Sequence, residues 1–403
     1  MALDWKETDK LAERVNYWID RAAALKESDL YFFNQPIDEL NGNAHAMVRG
    51  RKMLMFASYS YLGLLGHPRI NAAAKQAIDD YGTGTHGVRL LAGTLKLHEQ
   101  LEETIANFKH TEAAITFSSG YVTNLTAVST LVGRRDTVIC DKLNHASIVD
   151  GCLLSGAKFA RFKHNDMQDL ERALQKADSS GVKLVVVDAV FSMDGDVINL
   201  PAIMELCRKY RAWLMVDEAH SIGVLGQRGR GIEEHFGLGN VIDIKMGTLS
   251  KTIPSVGGYL AGPQNLIQMF KHASRAFIFS AALPPAQAAA ARAAFEVILD
   301  EPDRVETLTR NAKHFSDGLR QIGFDTMLTT TAIVPVLCGE DERAYRMVQK
   351  CQQQDVFVLP VVSPAVPPGL ARLRSTVTAG HTPQDIERAL DVFETAGRQT
   401  GVI

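Results

Sequence analysis

Between residues 113 and 217 the chain alternates short runs rich in valine and isoleucine with longer amphipathic segments. This alternation predicts strands at Ala113–Phe117, Thr137–Cys140, Lys183–Asp188 and Trp213–Asp217, and helices at Asn124–Val132, Ala146–Ser155, Asp166–Ala177 and Pro201–Tyr210. Short apolar strands separated by amphipathic helices are typical of a parallel sheet that is buried on both faces. The sequence therefore predicts an α/β fold with a mostly parallel sheet covered by helices.

The pattern changes after Pro284-Pro285, where the strict alternation stops. An alanine-rich segment and a long charged helix follow, and then strand-like runs mixed with helices, which indicates a smaller α+β unit. At the other end, apolar residues at helical spacing predict a helix from Trp5 to Lys26. We predict an N-terminal helix and arm at 1–50, a large domain at 51–285 and a small C-terminal domain at 286–403.

Composition and charge exclude several classes of protein. A net charge of -3 gives no reason to expect a nucleic-acid partner, and no apolar run is long enough to span a bilayer. The N-terminus has no apolar segment like that of a signal peptide. The five cysteines show no CxxC spacing, which favours buried thiols over disulfides or metal ligands. We therefore expect a cytoplasmic protein without a metal site.

Polar groups follow several of the predicted strands, where ligands of a parallel sheet bind. They are the segment Ser118–Tyr121, His145 at the start of a helix, Asp217 and His220 after the strand Trp213–Asp217, and Lys251 in Gly247–Lys251 after the apolar run Val241–Ile244. Taken singly, each has a plain structural explanation, such as a capped helix or a surface lysine. The polar residues after Trp213–Asp217 favour a functional site, because buried charge is costly unless it is partnered.

Together these groups supply what pyridoxal phosphate (PLP) requires. An amine can form a Schiff base with the cofactor, and a carboxylate can pair with its protonated pyridine nitrogen. Backbone N–H groups at a helix start can bind the phosphate, hydroxyls can assist, and an imidazole can stack on the ring. The order of phosphate loop, histidine, aspartate and lysine along successive strands is much more specific than any one of them.

The sequence resembles the α-oxoamine synthases, a family of fold-type I PLP-dependent enzymes. Members include serine palmitoyltransferase, 2-amino-3-ketobutyrate CoA ligase and 8-amino-7-oxononanoate synthase. The resemblance covers about residues 50–403, and it is carried by the motifs at 82–94, 144–151, 191–196, 216–221, 247–251, 279–285 and 379–382. It implies the fold-type I PLP-dependent transferase fold, a PLP cofactor and a homodimer with shared active sites.

The resemblance also implies a role for each matching residue. Lys251 carries the cofactor as a Schiff base and later transfers a proton, and Asp217 pairs with the pyridine nitrogen. His145 stacks on the ring, and His220 hydrogen-bonds the phenolic oxygen. The other implied cofactor contacts are Ser192, the backbone of Gly120 and Tyr121, the hydroxyls of Thr248 and Ser250, and Ser280, which reaches the phosphate in the neighbouring subunit.

For the amino-acid substrate, the resemblance implies that Arg374 binds the carboxylate, and it leaves the nearby Arg372 a structural role. Two positions depart from the usual pattern. Ser60 stands where many relatives have an asparagine that helps to hold the carboxylate. Val88 stands where several relatives have serine or threonine, which favours a small amino acid unless this valine only packs.

The implied reaction is a decarboxylative Claisen-type condensation of a small amino acid with an acyl thioester, giving an α-amino ketone. Serine with a long acyl chain, as in serine palmitoyltransferase, and glycine or alanine with a shorter one both remain open, as does a ligase that retains the carboxylate. The acyl carrier can be coenzyme A or a carrier protein. A serine palmitoyltransferase role would also imply a peripheral membrane contact. An aminotransferase or C–S lyase activity, or a scaffold subunit without catalysis, is the alternative from another class.

Overall fold

The computed structural model describes residues 10–41 and 44–403. Its helices are α1 (Lys10–Glu27), α2 (Pro68–Tyr81), α3 (Lys96–Lys109), α4 (Gly120–Leu131), α5 (Ala146–Ser155), α6 (Met167–Lys176), α7 (Leu200–Tyr210), α8 (Ile232–His235), α9 (Gln264–Ala273), α10 (Arg275–Ile278), α11 (Pro285–Asp300), α12 (Asp303–Ile322), α13 (Asp341–Gln353) and α14 (Pro383–Thr400). The strands are β1 (Ile37–Asn41), β2 (His45–Val48), β3 (Arg51–Met55), β4 (Ala113–Phe117), β5 (Thr137–Asp141), β6 (Lys158–Phe162), β7 (Lys183–Asp188), β8 (Trp213–Asp217), β9 (Ile244–Ser250), β10 (Pro254–Gly262), β11 (Ile333–Gly339), β12 (Val356–Phe357), β13 (Pro360–Val361) and β14 (Ala371–Thr376).

The centre of the molecule is a seven-stranded sheet with the order β4-β10-β9-β8-β7-β5-β6. Strands β5 to β9 pair in parallel, and β10 runs antiparallel to both its neighbours, β9 and β4. The predicted mostly parallel sheet covered by helices is therefore confirmed. Two of its strands, β6 and β10, have no counterpart in the sequence prediction. In β10 the glycines hide the strand pattern, but they are needed there: a Cβ on Gly258 would lie 2.4 Å from the Oγ1 of Thr123.

The strand that leads to Lys251 lies further along the chain than predicted. We expected a strand at Val241–Ile244 and a loop at Gly247–Lys251, whereas β9 begins at Ile244 and continues to Ser250. It runs on because it is hydrogen-bonded on both edges, to β8 and to β10. Gly247 is fully inside the strand, and a Cβ there would lie 2.3 Å from the Tyr259 ring. Lys251 is consequently the first residue after a buried strand.

Two smaller sheets accompany the central one. Strands β11, β14 and β13 form an antiparallel sheet, and β1, β2, β3 and β12 form a mixed one. In the second, β3 of the N-terminal region pairs in parallel with β12 of the C-terminal region. The predicted boundaries at 50 and 285 remain a prediction, although this pairing ties β3 to the C-terminal unit. Of the predicted N-terminal helix, residues 5–9 lie outside the described residues.

The alanine-rich segment forms α11, which packs on α2, α3 and β10. Ala288, Ala291 and Ala294 are completely buried and fall at helical spacing. Small side chains let the helix axes approach closely, so α11 fixes the large sheet against its covering layer. None of the helices in the described part of the chain is long and apolar enough to cross a membrane.

A histidine between two aspartates anchors the loop between β7 and α7. His164 lies 3.1 Å from Asp141 through Nδ1 and 2.9 Å from Asp196 through Nε2. Burial opposes the positive charge, but the hydrogen bonds to the two carboxylates outweigh it and raise the pKa of His164 to about 10. Next to Asp196, a Cβ on Gly195 would lie 2.1 Å from the carbonyl oxygen of Ile333. This loop therefore contacts the small domain directly.

We expect the replacement His164→Gln to lower the free energy of unfolding by about 2 kcal/mol at pH 6, because two partly buried carboxylates lose their cation. A raised pKa stabilises the folded state fully below the unfolded value near 6.5, and this contribution disappears as the pH rises through about 10. Urea unfolding at several pH values should thus show the wild type and the variant converging toward pH 10. His314→Gln, which breaks an exposed pair with Glu387, is the control and should change stability by less than about 1 kcal/mol at every pH. Parallel curves for wild type and His164→Gln would contradict the assignment.

Candidate active site

Lys251 lies at the carboxyl end of β9, and its amine points at an imidazole. Lys251 Nζ is 2.9 Å from His220 Nε2, and it lies 5.8 Å from the centre of the Tyr59 ring. Burial of the amine lowers its pKa to about 8; Asp217 opposes this shift and Arg374 adds to it. A sizeable fraction of the amine is therefore neutral near pH 8, which is the form that acts as a nucleophile or base.

Asp217 ends β8 and is 3% exposed. It accepts a hydrogen bond of 2.6 Å from Asn124 Nδ2 and one of 2.8 Å from the backbone N–H of Ala219. A second carboxyl, Asp188, stands opposite it on β7. Burial, and then the charge of Asp217, raise the pKa of Asp188 well above its usual value. Asp188 therefore favours its neutral form beside Asp217.

His220 connects Lys251 to a buried tyrosine. Tyr61 Oη lies 2.7 Å from His220 Nδ1, on the opposite side of the ring from Lys251. Burial lowers the pKa of His220 well below its usual value, and the charges of Lys251 and Arg374 act in the same direction. Burial also raises the pKa of Tyr61 to about 12. Both rings are thus uncharged at neutral pH. They link the small domain to Lys251 through a chain of hydrogen bonds.

Arg374 on β14 brings the small domain to the same place. Its Nε donates to the carbonyl oxygen of Ser192 at 2.6 Å, and its guanidinium lies 4.8 Å from the centre of the Tyr59 ring. Among the described residues Arg374 has no carboxylate partner within ion-pair distance. Arg372, two residues earlier, pairs with Asp194 at 2.5 Å. Arg374 also donates to the hydroxyls of Thr376 and Tyr61, but no described carboxylate pairs with it, so it is a candidate to bind an anion. Arg372 has the structural contact that we expected.

His145 is the residue that precedes α5, and its ring caps that helix. Its Nδ1 lies 2.7 Å from Ser147 Oγ, and its backbone N–H donates to Asp188 at 2.9 Å. The residue is exposed as a whole. Its ring meets the edge of the Tyr121 ring at a centroid distance of 6.3 Å, and Tyr121 donates a hydrogen bond to Asp150. One face of His145 is held by the protein while the rest is accessible.

A potential anion site lies at the start of α4. This helix begins at Gly120, a full turn earlier than predicted. The prediction missed this turn because glycine has a low helix propensity. Its first N–H groups therefore point outward, where they attract negative charge. Thr248 is close by, with its Oγ1 2.9 Å from Ser250 Oγ. A Cβ on Gly120 would lie 2.9 Å from this Thr248 oxygen, so only glycine lets the helix start and the hydroxyls share one space.

We expect Gly120→Ala to weaken PLP binding by roughly tenfold or more, because the added methyl group displaces Thr248 and about 1.4 kcal/mol corresponds to a factor of ten. Equilibrium titration of the apoprotein with PLP, followed by absorbance, measures the dissociation constant. Gly133→Ala is the matched control, since a Cβ there meets nothing within 4 Å. Equal affinities for the two variants would remove Gly120 from the phosphate site.

The structure brings Lys251, Asp217, His220 and Arg374 together, with Ser192 adjacent through its backbone. Ser280 and Val88 lie in a separate pair of segments: Val88 forms an isolated β-bridge with Ala281. The hydroxyl of Ser60 is buried and has no hydrogen-bond partner among the described residues. The residues that sequence reasoning missed are Tyr59, Tyr61, Asn124 and Asp188.

Some of these could have been found. Asp188 ends a predicted strand next to the one that ends at Asp217, and that position alone marks it as a candidate. Asn124 lies one helical turn after Gly120, which becomes informative once the helix is known to begin there. Tyr59 and Tyr61 come from outside the alternating region, so no local signal relates them to Lys251.

The residues present fit PLP. A buried amine with a lowered pKa, a buried carboxylate with two N–H donors and a helix start that only glycine permits are the three parts that the cofactor requires. Arg374 and His220 stand between them with no carboxylate neutralising the guanidinium among the described residues. The donor set thus matches a phosphorylated aldehyde with a basic ring nitrogen.

Comparisons with known proteins agree with this fit. The family model for aminotransferase class I and II matches residues 51–393. The 8-amino-7-oxononanoate synthase of Symbiobacterium thermophilum is 43% identical over 399 residues, which is 98% of this chain and 99% of that protein. A high-resolution structure of serine palmitoyltransferase with PLP has a TM-score of 0.95 at 35% identity, covering 98% of this chain and 100% of that one. An 8-amino-7-oxononanoate synthase structure from Francisella tularensis has a TM-score of 0.74 at 26% identity, covering 87% and 99%.

The chain belongs to the aminotransferase class I and II family of PLP-dependent enzymes, in the fold-type I class. Its relatives place it more narrowly among the α-oxoamine synthases, which are PLP-dependent acyltransferases. The resemblance, the enzyme class and the cofactor expected from the sequence are confirmed.

Proposed function

We propose that the protein condenses a small amino acid with an acyl thioester, with loss of carbon dioxide, to give an α-amino ketone. The observation that carries this proposal is that Arg374, His220 and Lys251 converge in one place. His220 Nε2 and Lys251 Nζ are 2.9 Å apart. A cation for the substrate carboxylate and a base for its α-proton thereby both lie near the Tyr59 ring, whose centre is 4.8 Å from the Arg374 guanidinium and 5.8 Å from Lys251 Nζ. Condensation needs both, and the thioester supplies the electrophile.

In this proposal the residues of the chain have defined tasks. Bound PLP supplies an aldehyde for amines and a ring that withdraws electrons from the amino acid's α-carbon. Asp217 would hold a proton at the ring nitrogen, and Gly120, Tyr121, Thr248 and Ser250 would bind the phosphate. Lys251, with its pKa lowered to about 8, accepts the α-proton when it is neutral.

The hydrogen-bonded neighbours of Lys251 complete the proposed assignment. Neutral His220 donates to or accepts from the phenolic oxygen without adding charge to the pocket, and Tyr61 holds its far nitrogen. Arg374 binds the carboxylate with its planar fork of donors. Ser192 is proposed to contact the same region of the cofactor through its side chain.

The relatives suggest two amino acids. The name 8-amino-7-oxononanoate describes a nine-carbon product whose amino carbon and terminal methyl group match alanine after decarboxylation, joined to a seven-carbon acyl group. Relatives of this name are 40–44% identical to the chain. The serine palmitoyltransferase structure at 35% identity favours serine and a long acyl group instead. We propose alanine first, and serine as the second candidate.

The pair of segments that carries Ser280 and Val88 supports a homodimer. Phe279 and Leu91, next to them, are 76% and 80% exposed, and exposed apolar side chains of this size usually mark an interface. We propose that a second copy covers them, and that Val88 acts with Ser280 in the site of the neighbouring subunit. Light scattering should then give twice the 44.2 kDa of the chain. Three further points remain predictions: the identity of the acyl carrier as coenzyme A or a carrier protein, a peripheral membrane contact, and a cytoplasmic location.

One experiment tests the function. Alanine, glycine and serine are each combined with acyl-CoA thioesters of increasing chain length, and free thiol and carbon dioxide are measured together. The proposal predicts equal amounts of both, with alanine preferred. Transamination of an oxo acid without thiol release would identify an aminotransferase. A colourless protein that does not bind PLP would identify a scaffold subunit.

Variants at positions 60 and 88 help to interpret this substrate experiment. Val88→Thr restores the hydroxyl that many relatives have, and should raise the turnover of serine relative to alanine by a few-fold. Ser60→Asn fills the place where the hydroxyl of Ser60 is buried without a partner in the described structure, and should lower KM for the amino acid. An unchanged alanine-to-serine ratio in Val88→Thr would show that this valine only packs.

A further inference from the structure

Asn124 connects two groups of the site. It is 1% exposed, and its Nδ2 donates both to Asp217 Oδ2 at 2.6 Å and to Ser147 Oγ at 2.9 Å. Its Oδ1 is buried and has no hydrogen-bond partner among the described residues. Asp217 determines which atom of the Asn124 amide is the nitrogen, because an ionised carboxylate can only accept a hydrogen bond. A buried carbonyl without a partner costs stability, so the amide is held here for what its nitrogen contacts.

Ser147 extends this contact to His145. The Ser147 oxygen accepts the N–H of Asn124, and the same oxygen lies 2.7 Å from His145 Nδ1. The backbone N–H of Ser147 also donates to His145 Nδ1, at 3.3 Å. Because a backbone N–H can only donate, Nδ1 must be the acceptor, and the Ser147 hydroxyl hydrogen is free to donate to it as well. The proton of a neutral His145 is therefore on Nε2.

We propose that Asn124 and Ser147 are positioning residues that hold His145 neutral with its proton on Nε2, and that Asn124 also fixes the carboxylate of Asp217. The inference rests on the proposed function, with Asp217 at the ring nitrogen, and on the stacking of His145 on the cofactor ring that the family resemblance implies. One amide thus sets the orientation of both. With Nε2–H as the accessible donor, His145 presents a hydrogen to an anionic group of the substrate, which an Nδ1–H tautomer cannot do.

The charges around His145 do not determine this tautomer by themselves. Asp217 and Asp150 favour a charged imidazole and Lys251 disfavours it, while Asp188 accepts only the backbone N–H of His145. Desolvation of the covered side of the ring is the largest influence, and the pKa of His145 is lowered. Two donors aimed at Nδ1 act in the same direction, because protonation at Nδ1 breaks both hydrogen bonds.

The test is nitrogen NMR of the full-length enzyme loaded with PLP and labelled in its histidine rings, with the His145 signals assigned by their loss in His145→Gln. In the wild type, Nδ1 should have the shift of an unprotonated nitrogen and Nε2 that of a protonated one at neutral pH. Ser147→Ala should raise the pKa of His145 by about one unit, because the hydroxyl donor to Nδ1 is lost while the backbone N–H of residue 147 remains. Ser155→Ala is the matched control on α5, because its hydroxyl contacts only the Cys152 carbonyl and the backbone N–H of Ala157 among the described residues.

Asn124→Ala provides a second measurement. Losing a donor to Asp217 should raise the dissociation constant of PLP about tenfold, whereas Ser129→Ala on the same helix, whose hydroxyl bonds to α4 carbonyls, should leave it unchanged. A wild-type His145 with its proton on Nδ1 would overturn the inference, whatever the behaviour of the Asn124 and Ser147 variants. Identical His145 titrations in Ser147→Ala and Ser155→Ala would overturn it too. Absence of a PLP absorption band from the wild type would reject the proposed function instead.

Discussion

Replacing Lys251 by alanine should reduce turnover by at least about 10⁴-fold and remove the visible absorption band of the PLP-loaded protein. A covalent nucleophile that also serves as the base cannot be replaced by solvent, and removing such groups costs several orders of magnitude. Lys251 is buried against His220 at 2.9 Å, so no other amine of the described chain replaces it at that contact. Absorbance spectra and thiol release, measured on the same preparation, check both effects.

Lys142→Ala is the matched control for this experiment. Lys142 is also the first residue after a strand, β5, but it is exposed. The variant should keep its colour and its activity within a few-fold of the wild type. If Lys251→Ala retained the absorption band, the amine that binds PLP would have to be sought elsewhere.

The rate of the wild type should also rise with pH through about 8, since the neutral form of Lys251 increases there.

Replacing Asp217 by asparagine should lower kcat/KM on the order of 10³-fold, the size of loss seen when one preorganised electrostatic group is removed from an active site. The amide preserves the size of the side chain but carries no charge to hold a proton at the ring nitrogen. It also places an N–H group opposite Asn124, whose Nδ2 now donates to Asp217 at 2.6 Å. Steady-state kinetics with saturating PLP separates the loss of turnover from weaker cofactor binding.

Asp300→Asn is the control for the charge itself, because Asp300 forms an exposed surface pair with Arg69. It should have wild-type kinetics. A loss of less than tenfold in Asp217→Asn would assign the role of counter-charge to another carboxyl. Asp188, the register partner on β7, would then be the residue to examine.

The sequence could predict the sheet and its order of chemistry because those depend on local patterns. Strand β7 contains a run of valines, and Asp217 is the last residue of the apolar strand β8. A carboxylate at that point is expensive unless it has a partner, which is why it stood out in the sequence. Lys251 became a functional candidate only together with Asp217 and His145, since the order of these three residues along the chain matches that of one family.

What failed in the sequence prediction depended on neighbours. Strand β10 and the early start of α4 at Gly120 carry glycines whose intrinsic preferences oppose those elements. They form because close approaches leave no room for a Cβ, and such approaches occur only after distant segments have packed. The extension of β9 to Ser250 has the same cause, as both of its edges are hydrogen-bonded.

The sequence by itself therefore determined the α/β class and the PLP-dependent family and marked Lys251 as a candidate, because each depends on short-range pattern and motif order. Only the tertiary structure decided how the site is assembled. Tyr61 and Arg374 are 313 positions apart in the chain and meet at 3.5 Å, and Asn124 reaches Asp217 across 93 positions. Such contacts are made by the packing of the small domain and of α4 against the sheet, and no local pattern encodes them.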